Sequence, residues 1–276
     1  MSIAGGYHKA VERAHLRGCQ CVQLFTKNNT QWRAKPITPP QARRFRATLA
    51  ELAITHPIAH DSYLINLASP ERSLWRKSIT AFVAELRRAD LLGIPYVVTH
   101  PGSYTAADEA RGLRQIIRAF DEIHNRSRTL SARCLLETTA GQGTSIGWRF
   151  EHLAAILDGV QDAGRLGVCF DTCHVFAAGY PLGTRRQYNA TMRAFDRIVG
   201  LERIKAFHLN DSRREFGCRV DRHAHIGQGH MGLQPFHHLL GDRRFRLIPM
   251  YLETPKGEQD GVDWDVINLR TLRELV

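Results

Sequence analysis

No apolar run in this 276-residue chain approaches the ~20 residues that a membrane-spanning helix needs. The opening stretch MSIAGGYHKAVERAHLRG lacks the apolar core of a secretory signal and carries His, Lys, Glu and Arg, so no leader is expected. None of the six cysteines forms a CxxC pair. Cys134 and Cys169 fall inside apolar runs, and the whole set is read as reduced thiols in a cytoplasmic compartment. No low-complexity segment and no internal repeat interrupts the chain. Acidic residues are in deficit, 27 against 38 Lys and Arg, which leaves a formal charge of +11. A surface of that sign suits a polyanion, nucleic acid first. The alternative from composition alone is an ordinary basic enzyme.

What is present is a rhythm. Short apolar runs alternate with longer helical patterns: CVQLF (21–25), LAITHPIAH (52–60), IPYVVTH (94–100), RCLLE (133–137), GVCFD (167–171), IKAFHLND (204–211) and IPMYLE (248–253). They lack clean polar alternation, as strands of a parallel sheet buried on both faces do. Between them, Ser69-Pro70 predicts a helix start, Leu74, Trp75, Ile79, Phe82, Val83 and Leu86 share one face, and Gly93 predicts the stop. Helices are also expected over 108–124, 149–157 and 191–198. Repeated β/α units without a composition break predict one α/β domain over residues 1–276, a TIM-type (β/α) barrel. Such a barrel has eight strands and only seven are found here. The chain opens on a loop and a helix, so its first strand is expected to be absent, or the barrel to have an unusual first edge.

The ends of these runs carry the chemistry. His60 closes AH, His100 closes TH, Glu137 closes LLE, and Asp171 closes CFD with His174 just beyond. His208 sits in FHLND, Asp221 and His223 in VDRHAH, and Glu253 in YLETP. One histidine at a strand end is ordinarily a loop or core residue, and one carboxylate is ordinarily a cap. Recurrence at the same end of successive strands is different, because in a parallel barrel those ends converge on one mouth. Imidazole and carboxylate donors suit Zn²⁺, Mn²⁺ and Fe²⁺. Five histidines and four carboxylates exceed what one tetrahedral ion takes, and predict two or three ions with a bridging carboxylate. Cys173, between Asp171 and His174, is read as a reduced thiol rather than a ligand. His56, His225 and His230 fit no ligand pattern.

The phrases HDSYLINLASP, HPGS, LETTAGQGTSIG, GVCFDTCHVFAAGY, HLNDSRREFGCRVDRHAHIGQGHMG and LETP, in that order, resemble endonuclease IV, the zinc-dependent apurinic/apyrimidinic endonuclease family. The resemblance runs from about Ala4 to Glu253. It implies a TIM-type barrel holding three zinc ions: one on His60, His100 and Glu137, a second on Glu137, Asp171, His208 and Glu253, a third on His174, Asp221 and His223. Mn²⁺ could fill part of such a site. The resemblance also implies a deoxyribonuclease IV-type phosphodiesterase, of the phage T4-induced type, acting as a monomer on double-stranded DNA and not on a membrane. It would cut 5′ to an abasic site, leaving a 3′-hydroxyl and a 5′-deoxyribose phosphate, and would trim blocked 3′ ends. Glu137 would be catalytic, bridging two ions.

Tyr63 and Leu64 match the family's DNA wedge, with local packing beside His60 as the alternative. The loop FTKNNTQW (25–32) has Thr30 where some members place a DNA-inserting arginine. Weaker insertion is expected, or compensation by Lys27, Gln31 or Arg33. Arg213, Arg214, Arg219 and Arg222 flank the ligand segment and are the expected phosphate contacts. The chief rival is a sugar isomerase of the same barrel type, which needs only about four ligands for one metal. A second rival is a DNA-binding remnant that no longer cuts.

Overall fold

The strands and helices predicted from apolar runs are present, several with shifted ends. The computed structural model describes residues 1–276. In chain order the principal elements are α1 (Tyr7–Leu16), β1 (Cys21–Phe25), α2 (Pro39–Glu51), β2 (Thr55–His60), α3 (Arg72–Leu92), β3 (Tyr96–Thr99), α4 (Glu109–Arg126) and β4 (Arg133–Glu137). There follow α5 (Phe150–Gly159), β5 (Leu166–Asp171), α6 (Thr172–Ala177), α7 (Arg185–Ile198), β6 (Ile204–His208), α8 (Gln234–Leu240), β7 (Met250–Tyr251) and α9 (Trp264–Arg273). The first element is a helix, as the sequence predicts. No helix is long and apolar enough to cross a membrane.

The chain divides into two compact units, Met1–Leu136 with Ala155–Gly167, and Glu137–Ala154 with Val168–Val276. In the first, β1, β2, β3 and β4 pair in parallel, with Phe25 opposite His60, His60 opposite Val98, and Thr99 opposite Leu136. The register sets His60 at the carboxyl end of its strand, level with the end of β1. Helix α2 starts on a capping box, in which Thr38 and Gln41 satisfy each other's backbone donors and two prolines open the first turn. Helix α3 ends at Gly93, whose φ of 73° is left-handed, as its sequence position predicts. Its start differs from expectation. The Ser69 hydroxyl accepts from the Glu71 amide in a local turn, and the helix begins only at Arg72. Asp108 caps α4 by accepting from the Arg111 amide at 2.7 Å. Phe45, Phe82 and Phe120 are fully buried, the last two edge to face at 6.0 Å. Each such ring contributes about 1.5–3 kcal/mol by leaving water.

In the second unit β5, β6 and β7 pair in parallel, Asp171 opposite His208 and His208 opposite Tyr251. Every residue of β5 is buried, which explains its continuous apolar run. Phe150, Phe170, Phe195, Phe207 and Phe245 form a chain of rings with centroids 5.0–5.7 Å apart. Two expectations shift here. Helix α7 begins at Arg185, earlier than expected, because Thr184 and Gln187 form a second capping box. The run 204–211 is not one strand: β6 stops at His208, and Asp211–Ser212 pairs antiparallel with His223–Ala224. In the first unit, the run 52–60 shortens likewise, since Leu52 caps α2.

Candidate metal centre

In the second unit seven of the nine predicted donors meet. Glu137 ends β4, Asp171 ends β5 and His208 ends β6; Glu253 lies two residues past β7. One ligand atom from each of these four lies within 4.8 Å of the others. His208 Nδ1 is 2.8 Å from Glu137 Oε1, 3.1 Å from Glu253 Oε2 and 3.8 Å from Asp171 Oδ2. Beside them Asp171, His174 and His223 form a second group. His174 Nε2 and His223 Nε2 are 3.3 Å apart. Asp221 joins this group, with Oδ1 3.2 Å from His174 Nε2 and 3.3 Å from His223 Nε2. Its side chain is 39% exposed, whereas Glu137, Asp171 and His208 are fully buried.

Burial alone would push the pKa of His174 and His208 down, but their neighbours outweigh it. Asp171 and Asp221 raise His174 well above the usual imidazole value; the Cys169 thiol, Glu253 and Glu137 raise His208. His174 lies against Glu137 and Asp171, and His208 against Glu137 and Glu253. Such a donor set calls for positive charge, and oxygen with imidazole nitrogen suits a borderline divalent ion. The residues present therefore fit a metal centre.

Local structure explains how the donors are aimed. Asp171 caps α6, its Oδ1 accepting from the His174 amide at 2.7 Å, so strand end and helix start hold two donors in one turn. The Asp171 amide donates to Thr138 Oγ1, and His174 Nδ1 lies 2.8 Å from the Thr138 carbonyl. Asn210 is fully buried; its Nδ2 donates to Asp171 Oδ2 at 2.6 Å and its Oδ1 accepts from the Glu253 amide at 2.9 Å. Thr172 in turn donates to the Asn210 carbonyl. Sequence reasoning missed these orienting residues, and adjacency to His208 in HLND is the available signal for Asn210. The hairpin bearing Asp221 and His223 is held by Gln142, which accepts from the Asp221 amide, and by Asp211, which accepts from the Ser212, Gly229 and Met231 amides. A side chain at position 229 would collide with the Ser212 carbonyl and Asp211, so only glycine fits there. Burial and the neighbouring Asp171 push the Cys173 thiol up to about 12, so it is no thiolate at neutral pH.

In the first unit His60 and His100 face each other edge on, ring centroids 5.7 Å apart. Thr99 and His60 both engage Asp61, through Oδ2 at 2.6 Å and Oδ1 at 3.4 Å. Tyr63 stands out at 61% exposure, its ring against Phe25 and His60 at 5.5 and 5.6 Å; Leu64 beside it is half-buried. Gln31 and Arg33 are exposed. Lys27 does not stand ready to compensate for Thr30, contrary to expectation. It is buried, paired with Glu85 at 3.2 Å and donating to the Gln31 carbonyl. Thr30 folds back on Asn28 Oδ1 in a local turn. Arg213, Arg214, Arg219 and Arg222 lie at the surface, with the Arg219 guanidinium 3.7 Å over the Trp148 ring. His225 stacks on Trp264, and neither it nor His56 nor His230 joins a donor group.

Parallel strands alternating with helices, and donors at their carboxyl ends, place the chain in the class of (β/α)-barrel enzymes. The family described as Xylose isomerase-like TIM barrel matches residues 11–274. A relative from Geobacter sp. (strain M21), "Probable endonuclease 4", is 48% identical over the whole of this chain and 97% of its own. One of that name from Chloroflexus aurantiacus is 49% identical, over 100% and 96%. The crystal structure of endonuclease IV from Thermus thermophilus superposes with a TM-score of 0.87 at 36% identity, covering 100% of this chain and 96% of that one. The chain belongs to the endonuclease IV family. D-psicose 3-epimerase from Clostridium cellulolyticum H10 shares the fold, at 14% identity and a TM-score of 0.66 over 97% of this chain and 86% of its own.

Proposed function

We propose that this chain is a metal-dependent apurinic/apyrimidinic endonuclease, a DNA-cleaving hydrolase of base-excision repair. The observation that carries the reading is the buried meeting of Glu137, Asp171, His208 and Glu253, continued by His174, Asp221 and His223, in a member of this family. On this reading the enzyme cuts 5′ to an abasic site, leaves a 3′-hydroxyl and a 5′-deoxyribose phosphate, and trims blocked 3′ ends. It works as a cytoplasmic monomer, with residues 1–276 as one barrel domain, for which the family match over 11–274 is the support.

The proposal assigns three zinc ions, Mn²⁺ replacing part of them in some conditions. His60, His100 and Glu137 would hold one, Glu137, Asp171, His208 and Glu253 another, and His174, Asp221 and His223 the third. When bound, such ions supply Lewis acidity to a phosphoryl oxygen and to the leaving oxygen, and lower the pKa of water toward ~7. The protein's own part is orientation. Glu137, anchored at a buried strand end, fixes the spacing of the donors and is the candidate catalytic residue. Glu137, together with Glu253, whose side chain is partly open to solvent, would orient the attacking water. Asn210 and Thr138 keep Asp171 and Glu253 aimed inward.

Selection of damage follows from stacking. An abasic nucleotide has no base to pull from the helix, so turning it out costs less than for a normal one. Tyr63, exposed and braced from behind by Phe25, enters the gap with Leu64. Gln31 and Arg222 contact the strand beside it. The sugar-isomerase reading shares only the fold, and leaves His174, Asp221 and His223 without a task. A nicking assay on an abasic duplex, before and after metal stripping, tests the proposal. Metal-dependent nicking of that duplex and not of an intact one supports it; sugar epimerisation without nicking overturns it.

A further inference from the structure

Residues 26–38 connect β1 to α2 without helix or strand. A loop of this length inside a domain is usually either disordered or functional. Here it is ordered, and the order comes from below. Helix α3 passes under it and presents Arg88, which is 9% exposed. Arg88 Nε donates to Thr26 Oγ1 at 2.9 Å, one terminal nitrogen to the Thr26 carbonyl at 2.6 Å and to the Tyr7 hydroxyl at 2.7 Å, and the other to the Lys35 carbonyl at 2.8 Å. One guanidinium thus ties the start of the loop, Thr26, to Lys35 in its second half. One helical turn earlier, Glu85 accepts from Thr26 Oγ1 at 2.7 Å and pairs with Lys27, whose ammonium donates to the Gln31 carbonyl in the middle of the loop. Ser62 donates to the Asn29 carbonyl, and the Lys77 ammonium lies 4.2 Å over the Trp32 ring.

Charge burial distinguishes this arrangement from simple stabilising packing. Burying Arg88, Glu85 and Lys27 together carries a desolvation cost that well-packed apolar residues would avoid. What the charged set supplies instead is direction, since a planar guanidinium presents its donors in one rigid fork, whereas the three donors of an ammonium rotate freely. An open surface cleft of about 470 Å³ lies beside the network, lined by Tyr7, Thr26, Lys27, Gln31, Lys35 and Arg88 among others. With open space there, the loop would not be held by packing alone.

We propose that Arg88 is a positioning residue for DNA engagement: by tying Thr26 to Lys35 it holds loop 26–35 in the conformation that meets the damaged strand. This rests on the DNA-cleaving reading above. A loop ordered before binding does not lose that freedom on binding, so the effect falls on affinity and not on the chemical step.

The test uses full-length metal-loaded protein and an abasic duplex. Arg88→Lys is expected to raise Kd about tenfold, with the single-turnover rate at saturating DNA changed less than about twofold and metal content unaltered. Gln31→Ala is expected to weaken binding in the wild type and to have little further effect in the Arg88→Lys background. Full additivity of the two, or an unchanged Kd, overturns the proposal. Thr26→Val, which removes the hydroxyl shared by Arg88 and Glu85, is the second variant should Arg88→Lys fold poorly, with the same expectation. Hydrogen exchange of amides 28–34 in the free protein separates this proposal from the DNA-cleaving reading. Faster exchange in either variant supports the grip even if no DNA is cut, and unchanged exchange overturns it.

Discussion

His208 Nδ1 lies 2.8 Å from Glu137 Oε1, and both side chains are fully buried. Strand β6 delivers one and strand β4 the other, so a contact spanning 71 residues of sequence is made by two strand ends. Removing the charge at Glu137 while keeping its shape is therefore the most pointed change. Glu137→Gln is expected to lower the cutting rate by about 10³-fold or more, as loss of a group that fixes several donors should. Affinity for the abasic duplex should stay within about threefold of the wild type, because the substitution leaves the DNA-facing surface intact. Single-turnover rates and a binding titration measure the two separately.

Metal removal should show in stability as well as in activity. Each ion that binds only the folded chain stabilises it by about 2.7 kcal/mol at a hundred times its Kd. For a chain of this size that corresponds to roughly 5–10 °C in melting temperature. Stripping with a chelator is expected to lower the melting point by at least that amount, since more than one ion is removed, and added Zn²⁺ to restore it. Thermal unfolding followed by circular dichroism reads the shift.

His124 gives a pH prediction remote from the metal donors. Burial, then the nearby Arg165, lower its pKa from 6.5 to about 4, and its Nδ1 is buried without a hydrogen-bond partner. The folded protein thus binds this proton more weakly than the unfolded chain does. Stability from this group is present above pH 6.5 and is lost as pH falls toward 4. Relative to His124→Gln, the wild type should lose up to about 3 kcal/mol of unfolding free energy between roughly pH 7 and pH 4. Urea unfolding of both proteins across that range measures it.

Salt dependence tests the basic hairpin. Arg213, Arg214 and Arg222 as three phosphate contacts imply a slope of log affinity against log salt near about −2.7, or roughly a 40-fold loss between 50 and 200 mM salt. Arg222→Ala should make that slope shallower by about 1. Fluorescence anisotropy with a labelled abasic duplex at several salt concentrations reads both.

Glu137, Asp171 and His208 are legible in the sequence because each ends an apolar run on a residue of unusual chemistry, and the pattern repeats along the chain. His208 and Asp171 can be matched to strands simply from where the apolar runs of β5 and β6 stop. Their supports are not legible. Asn210 and Thr138 are common residue types whose role exists only once β5, β6 and the turn after β7 are adjacent. Arg88 looks in sequence like any charged residue of an amphipathic helix; its partners Tyr7, Thr26 and Lys35 lie 53 to 81 residues away. Lys27 has the sequence context of a loop cation, because its pairing with Glu85 leaves no local trace. Strand β7 pairs only at Met250 and Tyr251, opposite Phe207 and His208, much less than its apolar run suggests. The start of α7 is readable from Thr184 and Gln187, but its apolar face alone points to a later beginning.

Elemental analysis of the purified chain, paired with nicking of an abasic duplex before and after stripping, tests the central claim most directly. Three zinc equivalents per chain, with nicking lost on stripping and regained on zinc addition, is the predicted result. A metal-free preparation that nicks the duplex at full rate would contradict it.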